Sequence, residues 1–186
     1  MRHLILTITI LLAASQAFAQ NSSTETSREG FVIGLSAGAS YLSIEGDAFG
    51  SFEESGLSFP NLKIGWMISP KTALLLSIPG MGYEFEGVDR SFDSVVPSIQ
   101  YWLRPTWWVS GGFGIGMDYV AFYEDDHGQD KFNMGPAGMI STGFEMYKRG
   151  KFTIDLQGTI HAAHIYTDGD HYEAGAVLVG VGFNFY

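Results

Sequence analysis

From about residue 31 to the last residue, apolar and polar positions alternate with a period of two. In 151–165, Phe152, Ile154, Leu156, Gly158, Ile160 and Ala162 fall on one face and Thr153, Asp155, Gln157, Thr159 and His161 on the other. Successive side chains of a strand point to opposite sides, so this pattern predicts a strand with one greasy and one polar face. In 173–186, Val177, Val179, Val181, Phe183 and Phe185 oppose Ala176, Leu178, Gly180, Gly182 and Asn184. Leu62, Ile64, Trp66 and Ile68 stand against Asn61, Lys63, Gly65 and Met67, and Val109, Phe113, Ile115, Met117 and Tyr119 against Ser110, Gly112, Gly114, Gly116 and Asp118. Eight such segments are predicted, at 31–43, 58–68, 72–83, 94–103, 107–121, 132–147, 151–165 and 173–186.

The connections between them alternate in length. Ser69-Pro70-Lys71, Arg104-Pro105-Thr106 and Lys148-Arg149-Gly150 read as three-residue turns, the last with glycine where a positive φ is needed. They pair Ile68 with Thr72, Leu103 with Trp107 and Tyr147 with Lys151, and each pair keeps its assigned face. The other four connections, 44–57, 84–93, 122–131 and 166–172, are longer, polar and acidic. An even strand number with alternating short and long connections predicts an all-β fold: an eight-stranded antiparallel transmembrane β-barrel in an up-and-down meander.

Which face meets lipid follows from where the charges fall. Lys63, Asp118, Glu145, Asp155 and His161 share their face with glycine, serine, alanine, threonine and glutamine, a composition suited to a crowded interior rather than to a water-exposed wall. Lys63, Glu145, Asp155, Gln157 and His161 are accordingly expected to form an interior polar network, since buried charges must pair. On the greasy face, Phe31, Trp66, Tyr101, Trp107, Phe144, Phe152, Phe183 and Phe185 lie toward the short turns, and Tyr41, Tyr119 and Tyr166 toward the long connections. Aromatic residues favour the two bilayer interfaces, so these positions predict two girdles.

Composition sharpens the picture in three places. Met1 to Ala19 reads as a secretory signal peptide: Arg2 and His3, an apolar run from Leu4 to Ala14, then Ala17-Phe18-Ala19 as a small-x-small cleavage site. That run is too short for the ~20 residues of a membrane helix. The expected organisation is thus 1–19 signal peptide, 20–30 polar N-terminal tail and 31–186 barrel, exported by the Sec route to a bacterial outer membrane. There is no cysteine, hence neither an acylation site nor a disulfide. The net charge of −10, with nothing basic clustered, argues against nucleic acid as a partner.

The chain ends Gly182-Phe183-Asn184-Phe185-Tyr186. In architecture and in this aromatic end it resembles the small eight-stranded outer-membrane proteins of Gram-negative bacteria, the OmpA transmembrane domain and OmpX among them. The resemblance implies that Phe183, Phe185 and Tyr186 form the signal that the barrel-assembly machinery reads. The alternating set Phe185, Phe183, Val181, Val179, Val177 is offset by one from Tyr186.

No catalytic, cofactor or metal site is assigned. Most of the twenty acidic residues lie in or beside the long connections, including Glu45, Asp47, Glu53, Glu54, Glu124, Asp125, Asp126, Asp130, Asp168 and Asp170, and only Arg90 and Lys131 offset them there. Such a rim suits divalent cations that bridge lipopolysaccharide phosphates, but neither 124–130 nor 168–170 matches a calcium-loop spacing. Lipid A deacylases of similar architecture use serine and histidine two residues apart with a glutamate; His161 and His164 have no serine at that spacing, and His127 and His171 have no fixed partner. The expected role is a non-catalytic structural or surface-interaction protein acting through four acidic extracellular loops, with outer-membrane lipid and lipopolysaccharide as neighbours. The alternatives are a lipid-A-modifying enzyme and a soluble periplasmic lipocalin-like binding barrel.

Overall fold

A computed structural model describes residues 28–46, 50–122, 132–167 and 169–186. The predicted signal peptide and most of the tail lie outside the described residues. Nine strands run β1 Gly30–Gly46, β2 Gly50–Ser69, β3 Thr72–Ile78, β4 Gly80–Phe85, β5 Val88–Arg104, β6 Trp107–Val120, β7 Asn133–Arg149, β8 Phe152–Tyr166 and β9 His171–Phe185. All pair antiparallel, in the order β3-β2-β1-β9-β8-β7-β6-β5-β4, and a β3–β5 ladder closes the ring. β3 and β4 are two halves of one stave interrupted at Pro79, so the barrel has eight staves. Proline has no N–H to give the ladder, which is why the predicted strand 72–83 divides there.

The outer wall is apolar. Phe31, Ile33, Leu35, Trp66, Ile99, Phe113, Ile140, Ile160, Val179 and Phe183 are all exposed, while the alternating positions between them turn inward. This inverts a lipocalin, whose apolar face would line a ligand cavity. No described helix is long and apolar enough to cross a membrane; the strands do the crossing.

Three of the four long connections are shorter than expected. β1 and β2 pair as far as Gly46↔Gly50, β8 and β9 as far as Tyr166↔His171, and β4 and β5 as far as Phe85↔Val88. The last closes through Glu86 and Gly87, with φ of 52° and 79°, the geometry of a type I′ hairpin turn. Polar strand ends in water satisfy the ladder as well as apolar ones do, so polarity alone marked these segments wrongly as loop. In the 122–131 connection only Phe122 is described.

The tight turns also differ in detail. Each is a two-residue connection, closed by Ser69↔Thr72, Arg104↔Trp107 and Arg149↔Phe152, with one extra residue at Ile68, Leu103 and Met146. Beyond that bulge the first two expected registers hold, but in the third Glu145 pairs with Asp155, two residues on from the Thr153 that a Tyr147–Lys151 pairing requires. A slip of an even number of residues keeps every side chain on its face, so matching faces did not reveal it.

Glycine permits close backbone approach where β1 meets β9. A Cβ on Gly38 would collide with the Val179 carbonyl, and one on Gly180 with the Ala37 carbonyl, whereas Gly175 has nothing within 4 Å. Gly180→Ala is therefore expected to lower stability by about 1–3 kcal/mol through local overpacking, and Gly175→Ala to leave it unchanged. Urea unfolding of the barrel in lipid vesicles measures both.

Candidate functional site

The interior is filled in three layers. Near the tight turns, Val32, Met67, Ala73, Leu75, Trp102, Trp108 and Tyr186 form one buried apolar cluster. Near the opposite end, Leu42, Ile44, Met81, Tyr83, Phe92, Ile165 and Tyr172 belong to a second. Between them lies a polar layer of Ser36, Ser58, Asn61, Lys63, Ser77, Gln100, Ser110, Ser141, Gln157, Thr159 and Asn184 around a cavity of about 50 Å³.

The predicted interior residues all face into the barrel, with Lys63 in the field of Asp155 and Glu145. Lys63 Nζ donates to Gln100 Oε1 at 3.2 Å and stands 4.4 Å from the centre of the Trp108 ring. Asp155 accepts from Trp108 Nε1 and Asn184 Nδ2, both at 2.9 Å. Gln157 lies beside Asp155, and the two side chains together occupy the space a Cβ on Gly182 would need. Glu145 lies lower, accepting from Trp102 Nε1 at 2.8 Å. His161 stands apart toward the upper layer, stacked on Phe92 at 4.8 Å with Nδ1 3.0 Å from Ser94 Oγ.

Two anchoring clusters escaped the sequence reading, which placed Glu145 and Asp118 inward but gave neither its partners. The first is Arg28, read there as part of a featureless tail. Its guanidinium donates to Glu145 Oε2 at 2.7 Å and to the Pro105 carbonyl at 2.5 Å, and it stacks over Trp102 at 4.6 Å, beside the terminal Tyr186. The pair is almost fully buried, with side chains 9% and 1% exposed. The only available sign was an unbalanced inward glutamate near the tight turns, which period-two reasoning cannot match to a partner 117 residues away. The second is Asp118, which accepts from Tyr83 Oη at 2.8 Å, from Arg90 Nε at 3.1 Å and from Tyr172 Oη. These two clusters close the lower and upper ends of the interior.

On the outer wall, Tyr41, Trp66, Tyr101, Trp107, Phe183 and Phe185 are exposed at the positions expected of girdles, and Tyr119 is half-buried with its hydroxyl on Asp93. Tyr186 turns inward while Phe183 and Phe185 turn outward. The one-residue offset at the terminus thus corresponds to a final side chain packed edge-on against Trp102 at 5.2 Å.

The outer rim carries one unforeseen pair. His164 Nδ1 lies 2.5 Å from Glu173 Oε1, with the His171 ring 4.6 Å away and Tyr166 edge-on at 4.9 Å. Sequence spacing hid it because the partners sit on neighbouring strands. The residues two positions before and after His164 are Ala162 and Tyr166, so this carboxylate-oriented histidine lacks the serine at that spacing. Among the described residues no group of three or more His, Asp or Glu is placed to hold a metal ion. Of the acidic positions, Asp47, Glu124, Asp125, Asp126, Asp130 and Asp168 lie outside the described residues.

An apolar wall, a filled interior and a closed antiparallel ring define a small membrane-spanning barrel of the bacterial outer-membrane class. Solved structures agree on the fold. The attachment invasion locus protein Ail of Yersinia pestis aligns with a TM-score of 0.53 at 17% identity over 84% of this chain and 99% of that one. Neisserial surface protein A aligns with a TM-score of 0.60 at 16% identity, over 84% and 96%. No family model matches the sequence, and neither does any curated protein.

Replacing Arg28 by alanine leaves Glu145 buried without its counter-charge. A loss of roughly 3–5 kcal/mol is expected, and Glu145→Gln in the same chain should recover part of it. A double-mutant cycle by urea unfolding measures the coupling.

Proposed function

We propose that this protein is a non-catalytic outer-membrane barrel that holds acidic hairpins at the cell surface, its specificity residing in those hairpins. One observation carries the reading: the interior is packed and tied across at both ends, by Arg28 with Glu145 and by Asp118 with Tyr83, Arg90 and Tyr172. An eight-stranded cylinder is just wide enough for its own side chains, so the lumen offers no through-path. What remains for function is the outer surface.

In this reading the chain is exported by the Sec route and cleaved after Ala19, and the barrel-assembly machinery reads Phe183, Phe185 and Tyr186 at the end of β9. Lipopolysaccharide is the immediate neighbour of the rim. Glu45 and Glu173 stand directly opposite each other across β1 and β9, a like-charge pair that a divalent cation shared with lipid phosphates would relieve. Ail, the attachment invasion locus protein of the same fold, has been crystallised with the heparin analogue sucrose octasulfate; an acidic rim calls for cation-bridged rather than direct contact with such anions.

The His164–Glu173 pair supports a second reading, a lipid-A-modifying enzyme, and the missing serine weighs against it. Comparing lipid A mass spectra from cells carrying the native protein and His164→Ala separates the two. The scaffold reading expects identical spectra.

Three further results are expected. The unboiled protein should migrate differently from the boiled protein in detergent gels. Cysteine probes at Ile154 and Val179 should report acyl chains, while those at Gln157 and Asn184 should not. Planar bilayers should show no stepwise conductance, and discrete channels would overturn the sealed-lumen reading.

A further inference from the structure

Round most of the ring each strand is tied to its neighbours by backbone ladders, but one junction is not. The β2–β3 ladder ends at Leu62↔Ile78; beyond it β2 pairs only with β1, and β4 only with β5. Pro79 interrupts one side, and Phe59 and Pro60 bulge outward opposite Ala37 on the other. Side chains hold the seam instead. Ser58 Oγ donates to the Gly80 carbonyl at 2.5 Å, Asn61 Oδ1 accepts from Gly80 N at 2.8 Å, and the Glu54 carboxylate accepts from Glu84 N at 3.1 Å. A Cβ on Gly56 would come within 3.3 Å of the Gly82 carbonyl, so the edges touch and leave no room for another strand.

The base of this seam, at Ser58, Asn61 and Pro79, is also part of the wall of the central cavity. Within that cavity Ser110 Oγ and Asn184 Oδ1, both in buried residues, find no hydrogen-bond partner among the described residues. The lining mixes hydroxyl and amide groups with apolar side chains, and the charge of Lys63 already stands in the field of Asp155. A second net charge would disturb that balance. The cavity is large enough for a hydroxymethyl group, given that one water needs roughly 10–15 Å³ of such space.

We propose that the β2–β4 seam is a side entrance through which the hydroxyl head of a single-chain lipid alcohol reaches the central cavity, its tail remaining in lipid over Leu57 and Phe59. The inference rests on the reading that the outer wall faces hydrocarbon. Opening separates three side-chain hydrogen-bonded contacts and the packing of Phe52 on Tyr83 and Phe85, and breaks no backbone ladder. Once inside, the hydroxyl donates to Asn184 Oδ1 and accepts from Ser110.

The test uses the full barrel in nanodiscs of deuterated lipid with added dodecanol. Nuclear Overhauser contacts are expected from the hydroxyl-bearing methylene to the Gln100 side-chain amide and the Lys63 ε-methylene, and dodecane should give none. Ser110→Leu, which fills the cavity, should abolish these contacts while leaving those to Leu57. Ser141→Val serves the same purpose if the first variant loses its heat-dependent gel shift. Ser58→Ala with Asn61→Ala should speed exchange of the bound alcohol several-fold. Contacts confined to the outer wall, equal contacts from dodecane, or indifference to cavity filling would each overturn the proposal. The cysteine probes at Ile154 and Val179 report separately on whether the wall faces lipid, so the two failures are distinguishable.

Discussion

The structure depends on the need to satisfy backbone N–H and C=O groups where no water can reach them. In hydrocarbon each unpaired group costs several kcal/mol, and a sheet can meet that demand only by closing on itself. Closure here is achieved by β3 pairing with both β2 and β5. From this follow the even stave number, the apolar exterior and the narrow interior that must be filled by side chains. The junction between β2 and β4 is the exception, where Ser58, Asn61 and Glu54 do by side chain what the ladder does elsewhere.

A narrow interior imposes a second demand. Charges taken inside must find partners among the other inward side chains. Arg28 reaching Glu145 and Arg90 reaching Asp118 are solutions of that kind, each reinforced by aromatic donors or faces. They tie the N-terminal tail to the tight turns and the last residue at one end, and the upper hairpins to one another at the other. The result is a cylinder whose interior is cross-tied near both ends.

Several features were legible in the chain because they are local. Asp155 and Gln157 could be placed inward, and Ile154 and Leu156 outward, from alternation alone. The outward aromatic positions and the inward glycines of β6 follow from the same parity. The candidate site was harder. The His164–Glu173 pair, the Arg28 anchor and the Asp118 cluster each join residues from different strands, and alternation says which face a residue occupies but not how far up the neighbouring strand its partner lies.

Sequence by itself thus determined the period, the two faces, the positions of the tight turns and the class of fold, since each follows from a residue and its near neighbours. Tertiary structure alone decided the register of β7 on β8 beyond Met146, the continuation of strands into acidic segments, the split at Pro79 and the partner of each buried charge. The physical reason is that parity survives a slip of two residues, whereas a hydrogen bond does not: partner and distance are set only when all the staves close at once.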